Sequence, residues 1–112
     1  MPRNRREGGI AYVQFTGEIQ TVHRHPKKAD LLAINCMSQR FLEDGTVRSE
    51  LWLRVNVYGE PKPSIEAAKA GDRIAFSGVL DRMWTFTKGD GQIGVGGDVL
   101  ASQEAIVVEP WQ

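Results

Sequence analysis

The chain has 112 residues, of which 41% are hydrophobic and 25% are charged, and 14 Lys and Arg residues balance 14 Asp and Glu residues. This length and composition predict one globular domain and exclude a second domain of substantial size. No segment approaches the roughly 18 uncharged apolar residues of a membrane-spanning helix, and the arginine-rich start does not resemble a signal peptide, so we expect a cytoplasmic protein with no membrane partner.

Positive charge is concentrated at the start of the chain. Residues 1–28 carry six Lys and Arg residues against two Glu residues, whereas residues 29–112 carry eight basic and twelve acidic residues. We therefore divide the chain into a basic N-terminal extension (1–9), a domain (10–109) and a short C-terminal end (110–112). A solvated basic segment explains the asymmetry as well as a nucleic-acid partner does, so charge by itself does not assign the function.

Strand patterns dominate the first half of the chain. Apolar and polar residues alternate from Val13 to Ile19 and His25-Pro26 interrupts them, which predicts a first strand from about residue 10 to residue 22. Residues 30–41 predict a second strand. The pair Asp44-Gly45 suits the positive φ of a tight turn, and residues 47–58 predict a third strand.

A short helix is predicted after the third strand. Prolines lie near its start, good helix formers follow and Gly71 ends it, so residues 61–71 predict a helix of at most two turns. Residues 73–84 predict a fourth strand and residues 98–108 a fifth. The glycine-rich residues 89–97 are interpreted as the connection between these two strands.

The predicted order is three strands, one short helix and two strands, in an all-β domain. This is the order of the OB-fold, a five-stranded Greek-key barrel that often binds oligonucleotides or oligosaccharides, here with its short helix between strands 3 and 4. Many activities occur on this fold, so the function has to be inferred from individual side chains.

The third predicted strand separates two kinds of residue. Its odd positions, 51 to 57, are all aliphatic, and its even positions are Trp52, Arg54, Asn56 and Tyr58, so the two sets lie on opposite faces. Aromatic rings that alternate with a guanidinium suit unpaired bases, which stack on rings while arginine contacts phosphate. The alternative is that Trp52 and Tyr58 pack under a loop or at a subunit contact.

A second cluster lies near the end of the fourth predicted strand. Arg82, Trp84, Phe86 and Lys88 alternate basic and aromatic residues before the glycine-rich segment. This pattern indicates a hairpin arm with a stacking surface. The alternative is a hydrophobic anchor that closes the barrel and carries a solvated charged edge.

Several motifs in order resemble the bacterial single-stranded DNA-binding protein (SSB) family. They are Trp52-x-Arg54-Val55-x-x-Tyr58-Gly59, Ile74-x-Phe76-x-Gly78-x-Leu80, Arg82-Met83-Trp84-Thr85 and Asp90-Gly91-Gln92, within a resemblance that covers residues 10–108. The resemblance implies base stacking by Trp52, Tyr58 and Trp84 and phosphate contacts from Arg54 and Arg82. It also adds Phe41, beside Arg40, as a further aromatic candidate.

The resemblance implies a biological role and an assembly state. Proteins of this family coat and protect single-stranded DNA in replication, recombination and repair, and they form homotetramers or homodimers. They act in the bacterial cytoplasm, and some are encoded by a phage or plasmid. Their chains end in an acidic tip that recruits replication or repair proteins, whereas this sequence ends Glu109-Pro110-Trp111-Gln112. We therefore expect no recruitment through an acidic tail. The glycines of residues 93–97 also depart from the family pattern and predict a more mobile or differently shaped hairpin.

Patterns of catalytic, cofactor or metal sites lack the necessary partners. The glycine motif at residues 89–94 does not open a helix within a βαβ unit. His23 and His25 have no clear further ligands, and Cys36, the only cysteine, has no assigned base and is expected in the core. We predict a protein that is not an enzyme and has no cofactor and no metal.

The function predicted from the sequence is binding of single-stranded DNA with little sequence specificity. Two alternatives stay open. One is a primosome-type OB adaptor that mainly binds a protein partner, and the other is a single-stranded RNA binder, because stacking surfaces accept both nucleic acids.

Overall fold

Six strands and one short α-helix make up the regular structure of the described part of the chain. The computed structural model describes residues 10–24 and 31–110. In chain order the elements are β1 (Tyr12–Arg24), β2 (Leu31–Phe41), β3 (Val47–Tyr58), α1 (Pro63–Glu66), β4 (Arg73–Thr87), β5 (Ile93–Leu100), a 3-10 helix (Gln103–Ala105) and β6 (Ile106–Glu109). The predicted N-terminal extension and the last two residues lie outside the described residues.

Five of the strands close into a ring. The order around the barrel is β1, β2, β3, β5 and β4, and β4 pairs back with β1. The β3–β5 pair is parallel and the other pairs are antiparallel. The strand β6 adds to the start of β4 outside the ring. The predicted all-β OB barrel, with its short helix between strands 3 and 4, is confirmed.

The barrel core is built from the inward positions of the alternating strands. The aliphatic face of β3 is buried, with Leu53, Val55 and Val57 at most 3% exposed, as the period of two predicts. Cys36 is fully buried beside them in β2, and burial raises the pKa of its thiol to about 12. The thiol is therefore a core group without nucleophilic reactivity at neutral pH.

The boundaries of the last strands differ from the prediction. Strand β4 continues to Thr87 instead of ending at residue 84, and residues 93–97 are not a connection but the first half of β5. The predicted strand 98–108 is interrupted by the 3-10 helix, and α1 has a single turn. The actual turn lies at Gly91, where φ is +85°, and Asp90 closes it by accepting a hydrogen bond from the Gln92 amide at 3.0 Å.

The side chain of Gln103 ties the link after β3 to the 3-10 helix. Its amide nitrogen donates to the carbonyls of Tyr58 and Glu60, at 3.2 and 3.0 Å, and its oxygen accepts from the Lys62 amide at 2.8 Å. These bonds fix the end of β3, where Tyr58 lies.

Within residues 10–24 and 31–110, no helix is long and apolar enough to span a bilayer.

Candidate nucleic-acid interface

Strands β3, β5 and β4 lie side by side and present one outward face, which we call the three-strand face. The strand register arranges its side chains in rows. One row contains Trp52 of β3, Gly96 of β5 and Trp84 of β4. The adjacent row contains Arg54, Asp98 and Arg82 on the same three strands. The parallel β3–β5 pairing therefore joins the two clusters that the sequence predicted separately.

Glycines of β5 make room for the aromatic rings of β4. A Cβ atom on Gly96 would lie 2.9 Å from Nε1 of Trp84, and one on Gly94 would lie 2.5 Å from the ring of Phe86. Both contacts are too short for a real side chain, so the rings lie directly over the β5 backbone. The glycines predict a more mobile or differently shaped hairpin, and the structure shows Gly94 and Gly96 in a paired strand, as a flat support for Phe86 and Trp84.

Trp52 and Phe86 extend the aromatic surface across the face. Their ring centroids are 6.1 Å apart and the rings are perpendicular, at 89°, an edge-to-face geometry that aromatic pairs favour. An open concavity of about 500 Å³ adjoins these rings and is also bordered by Glu50, Lys88 and Asp90. The three rings Trp52, Trp84 and Phe86, with Gly94 and Gly96 beneath, are called the aromatic cluster below.

The two arginines of the face share one carboxylate. Arg54 donates through Nε and Nη2 to the two oxygens of Asp98, at 2.6 and 2.9 Å, and Arg82 donates through the same two nitrogens to Oδ2, at 3.1 and 2.7 Å. Asn56 adds a bond to Oδ1 at 3.3 Å. Asp98 is only 4% exposed, whereas the side chain of Arg82 is 65% exposed. The carboxylate is therefore at the base of the face and the guanidinium groups lie above it.

The ion pairs change the titration of both partners and place the arginines beside a ring. Burial raises the pKa of Asp98, but hydrogen bonds from Arg54 and Arg82 outweigh it, and the pKa lies below its ordinary value. The bonds to Asp98 raise the pKa of Arg54. The Cζ atoms of Arg54 and Arg82 lie 5.1 and 5.6 Å from the Trp84 ring centroid, within cation–π range.

A second carboxylate, Glu50, holds the other edge of the face. It accepts hydrogen bonds from Nε1 of Trp52 at 2.7 Å and from Gln39 at 3.0 Å, and it pairs with Nζ of Lys88 at 3.2 Å. The bonds from Trp52 and Gln39 are the main reason that the pKa of Glu50 lies below its ordinary value. Glu50 thus fixes the indole edge of Trp52 and neutralises Lys88.

The predicted site residues divide into a central group and two outlying positions. The three-strand face carries Trp52, Arg54, Asn56, Arg82, Trp84, Phe86 and Lys88. Tyr58 lies at the end of β3 and is 58% exposed. Arg40 and Phe41 end β2, where Phe41, 60% exposed, borders a separate pocket of about 380 Å³ that Met37 and Arg73 also line.

Sequence reasoning missed the two carboxylates. Glu50 shares the even positions of β3 with Trp52, so the alternation places it on the outward face, and this signal was available. Asp98 is a lone acidic residue after a run of glycines. Its position between Arg54 and Arg82 depends on the pairing of β5 with both β3 and β4, which no local pattern reveals.

Comparison with solved structures identifies proteins of the same fold. The mitochondrial single-stranded DNA-binding protein Rim1 of S. cerevisiae aligns with a TM-score of 0.55 at 17% identity, over 92% of this chain and 99% of that chain. A small single-stranded DNA-binding protein from Streptomyces coelicolor aligns with a TM-score of 0.55 at 14% identity, over 88% and 93%. The Plasmodium falciparum SSB, solved in complex with ssDNA, aligns with a TM-score of 0.55 at 12% identity, over 100% of both chains. No protein-family model matches the chain, and the comparison with curated proteins finds no match.

Proposed function

We propose that this chain is an SSB-type protein that binds single-stranded DNA on the three-strand face without catalysing a reaction. The observation that carries the proposal is the aromatic cluster, which brings the half-buried rings of Trp52, Trp84 and Phe86 together near Arg54 and Arg82. Proteins of the same fold that are described as single-stranded DNA-binding support it. Its proposed role is to coat and protect single strands during replication, recombination and repair.

Binding on this face combines stacking with a small ionic contribution. Bases stack on the rings of the aromatic cluster, and each stacked base contributes about 1–3 kcal/mol. Arg54, Arg82 and Lys88 attract the phosphates, but Asp98 and Glu50 offset most of their charge. We therefore propose that stacking provides most of the affinity, and that sequence preference is weak because every base has a ring face.

We also propose that the protein acts as a homodimer or homotetramer. Strand β6 pairs only with β4 among the described strands, and its Val107 is 55% exposed. An unpaired strand edge with an exposed apolar side chain is suited to contact with a second copy.

The first test is a titration of tryptophan fluorescence with oligo-dT, repeated with a duplex of equal length and with oligo-U. We expect quenching by the single strand and none by the duplex, because the bases of a duplex are stacked on one another. Absence of binding to oligo-dT would contradict the proposal and leave a protein-binding OB module. Tighter binding of oligo-U than oligo-dT would indicate an RNA-binding protein instead.

Substitutions then test the surface itself. We expect Trp84→Ala to weaken binding of labelled oligo-dT, measured by fluorescence anisotropy, by about 5- to 150-fold, which is the stacking energy of one base. The matched control is Tyr12→Ala, because Tyr12 is an exposed aromatic residue on β1, 72% exposed and outside the three-strand face. Equal affinities of the two variants would show that the DNA strand binds outside the three-strand face.

A further inference from the structure

A buried carboxylate lies in the centre of a surface proposed to bind a polyanion. Asp98 is flanked in its row by Arg54 and Arg82, and its side chain is 6% exposed. A negative charge at this position repels phosphate. The three side chains together therefore carry one net positive charge where the sequence alone suggests two phosphate-binding arginines.

The hydrogen bonds to Asp98 restrain both guanidinium groups. Each arginine donates hydrogen bonds from Nε and Nη2 to the carboxylate of Asp98. A guanidinium is planar and presents its donors in a rigid fork. Arg54 bonds both oxygens of Asp98 and has little freedom to turn, whereas both bonds of Arg82 go to Oδ2 and tether it at that one oxygen. Within residues 10–24 and 31–110, the bonds of both arginines to Asp98 use Nε and Nη2 and leave the Nη1 donors out. The planes are held near Trp84, at 5.1 and 5.6 Å from its centroid.

This geometry gives the arginines a different role from that of free cations. The guanidinium groups, whose Cζ atoms lie over the Trp84 ring, can themselves offer a stacking surface, since bases stack on arginine planes as well as on rings. An arginine that stays bonded to Asp98 releases few counterions when a phosphate approaches. The salt dependence of binding therefore reports whether Asp98 keeps its partners in the complex.

We infer that Asp98 is a positioning residue of the three-strand face, which keeps Arg54 and Arg82 as part of the stacking surface in the DNA complex and limits their contacts with phosphate. The inference rests on the proposed binding of single-stranded DNA. It assigns a role to a carboxylate that a search for basic and aromatic residues passes over.

The main test compares Asp98→Asn with the unaltered chain in oligo-dT binding over a series of salt concentrations. Asparagine keeps the shape of the side chain and removes the charge. Each additional arginine bound to phosphate makes the slope of log affinity against log salt steeper by about 0.7 for a single strand. We expect the slope of the variant to be steeper by about 0.7 to 1.4, for one or two released arginines, together with weaker quenching of tryptophan fluorescence.

The matched control is Asp81→Asn, which removes the same charge from an exposed position beside Arg82 in β4. We expect its slope to equal that of the unaltered chain within about 0.3, because Arg54 and Arg82 pair with Asp98 and not with Asp81, so its loss releases no arginine to phosphate. Equal slopes for Asp98→Asn and the unaltered chain would overturn the inference and leave the proposed function standing. No binding by the unaltered chain would overturn both.

A second measurement needs no variant and so does not depend on how Asp98→Asn folds. The Nε–H resonances of Arg54 and Arg82 are followed by NMR in the unaltered chain during addition of oligo-dT. We expect both to be protected from exchange before DNA is added and to stay protected at saturation. Loss of that protection, or a shift that shows transfer of the bonds to phosphate, would overturn the inference.

Discussion

At the scale of single residues, carboxylates prepare the three-strand face for binding. Glu50 accepts a hydrogen bond from the indole of Trp52, and Asp98 accepts bonds from Arg54 and Arg82. Long side chains that are ordered only when a ligand binds cost about 0.5–1.5 kcal/mol each in conformational entropy. Because these side chains are already held in the free protein, part of that entropy cost is incurred on folding and not on the proposed binding of DNA.

The ion pairs of Asp98 predict a pH dependence of stability. Its pKa is lower in the folded chain than the ordinary value of 3.8, so the folded state binds fewer protons than the unfolded state between these two pKa values. The stabilisation is therefore complete above the unfolded pKa and is lost as the pH falls through the folded pKa. We expect Tm to decrease as the pH is lowered below about 4.

The Asp98→Asn variant isolates this contribution in thermal unfolding followed by circular dichroism. We expect the variant to be less stable than the unaltered chain at pH 7, by about 1–3 kcal/mol for hydrogen bonds to a charged group, and the difference to shrink as the pH falls below about 4. Glu50 keeps its own lowered pKa in both proteins. A difference that stays constant down to about pH 2 would contradict the prediction.

At the scale of secondary structure elements, the glycines of β5 match the aromatic residues of the neighbouring strand β4. Buried glycines alternate at positions 94 and 96 opposite Phe86 and Trp84. Glycine weakens an isolated strand because it has no side chain to pack, but rings that cover its backbone supply the missing contacts. The element is therefore a strand because β4 and β3 flank it, not because its own residues favour extended structure.

This interpretation predicts that a single methyl group on β5 disturbs the surface proposed to bind DNA. In Gly96→Ala the new Cβ would contact Trp84 at 2.9 Å, and the half-buried ring would move outward. We expect weaker binding of oligo-dT, approaching that of Trp84→Ala, and a loss of stability of about 1 kcal/mol, at the low end for overpacking. Binding is measured by anisotropy and stability by urea unfolding.

The control for this experiment is Gly89→Ala in the adjacent hairpin. A Cβ on Gly89 meets no atom within 4 Å, so we expect no change in affinity. If Gly96→Ala bound DNA as tightly as Gly89→Ala, the proposed support of Trp84 by the β5 backbone would be wrong.

At the scale of the whole molecule, little net charge is available to attract DNA, on the candidate interface or on the chain as a whole. The formal net charge is zero, and on the three-strand face Asp98 and Glu50 pair with Arg54, Arg82 and Lys88. Long-range attraction therefore contributes little to the proposed binding of DNA by a single subunit. The proposed assembly multiplies the contacts along one DNA strand and raises the affinity without new charge.

The proposed assembly predicts a molar mass of two or four chains in size-exclusion chromatography with multi-angle light scattering. We expect Val107→Glu to lower that mass, because it places a charge on the exposed edge strand β6. Val47→Glu is the control, since Val47 is also exposed, at 48%, but lies in β3. A monomer at tens of micromolar for the unaltered chain would contradict the prediction.

Local sequence patterns determined much of the fold because alternation is a property of a single strand. The bounds of β3 were predicted as 47–58, and its buried aliphatic face follows from a period of two. The outward residues Trp52, Arg54, Asn56 and Tyr58 were identified by the same rule. The order of elements then indicated the OB barrel, and the SSB-like motifs indicated the same fold that the structure comparisons find.

Only the tertiary structure decided how these residues work together. Gly96 and Trp84 are twelve positions apart in sequence, and Arg54 and Asp98 are 44 apart, so no local pattern shows that they touch. The same glycines satisfy the criteria for a flexible connection and for a strand under aromatic rings. The choice between the two, and the pairing of Asp98 with both arginines, depends on the closure of the barrel, which brings β5 between β3 and β4.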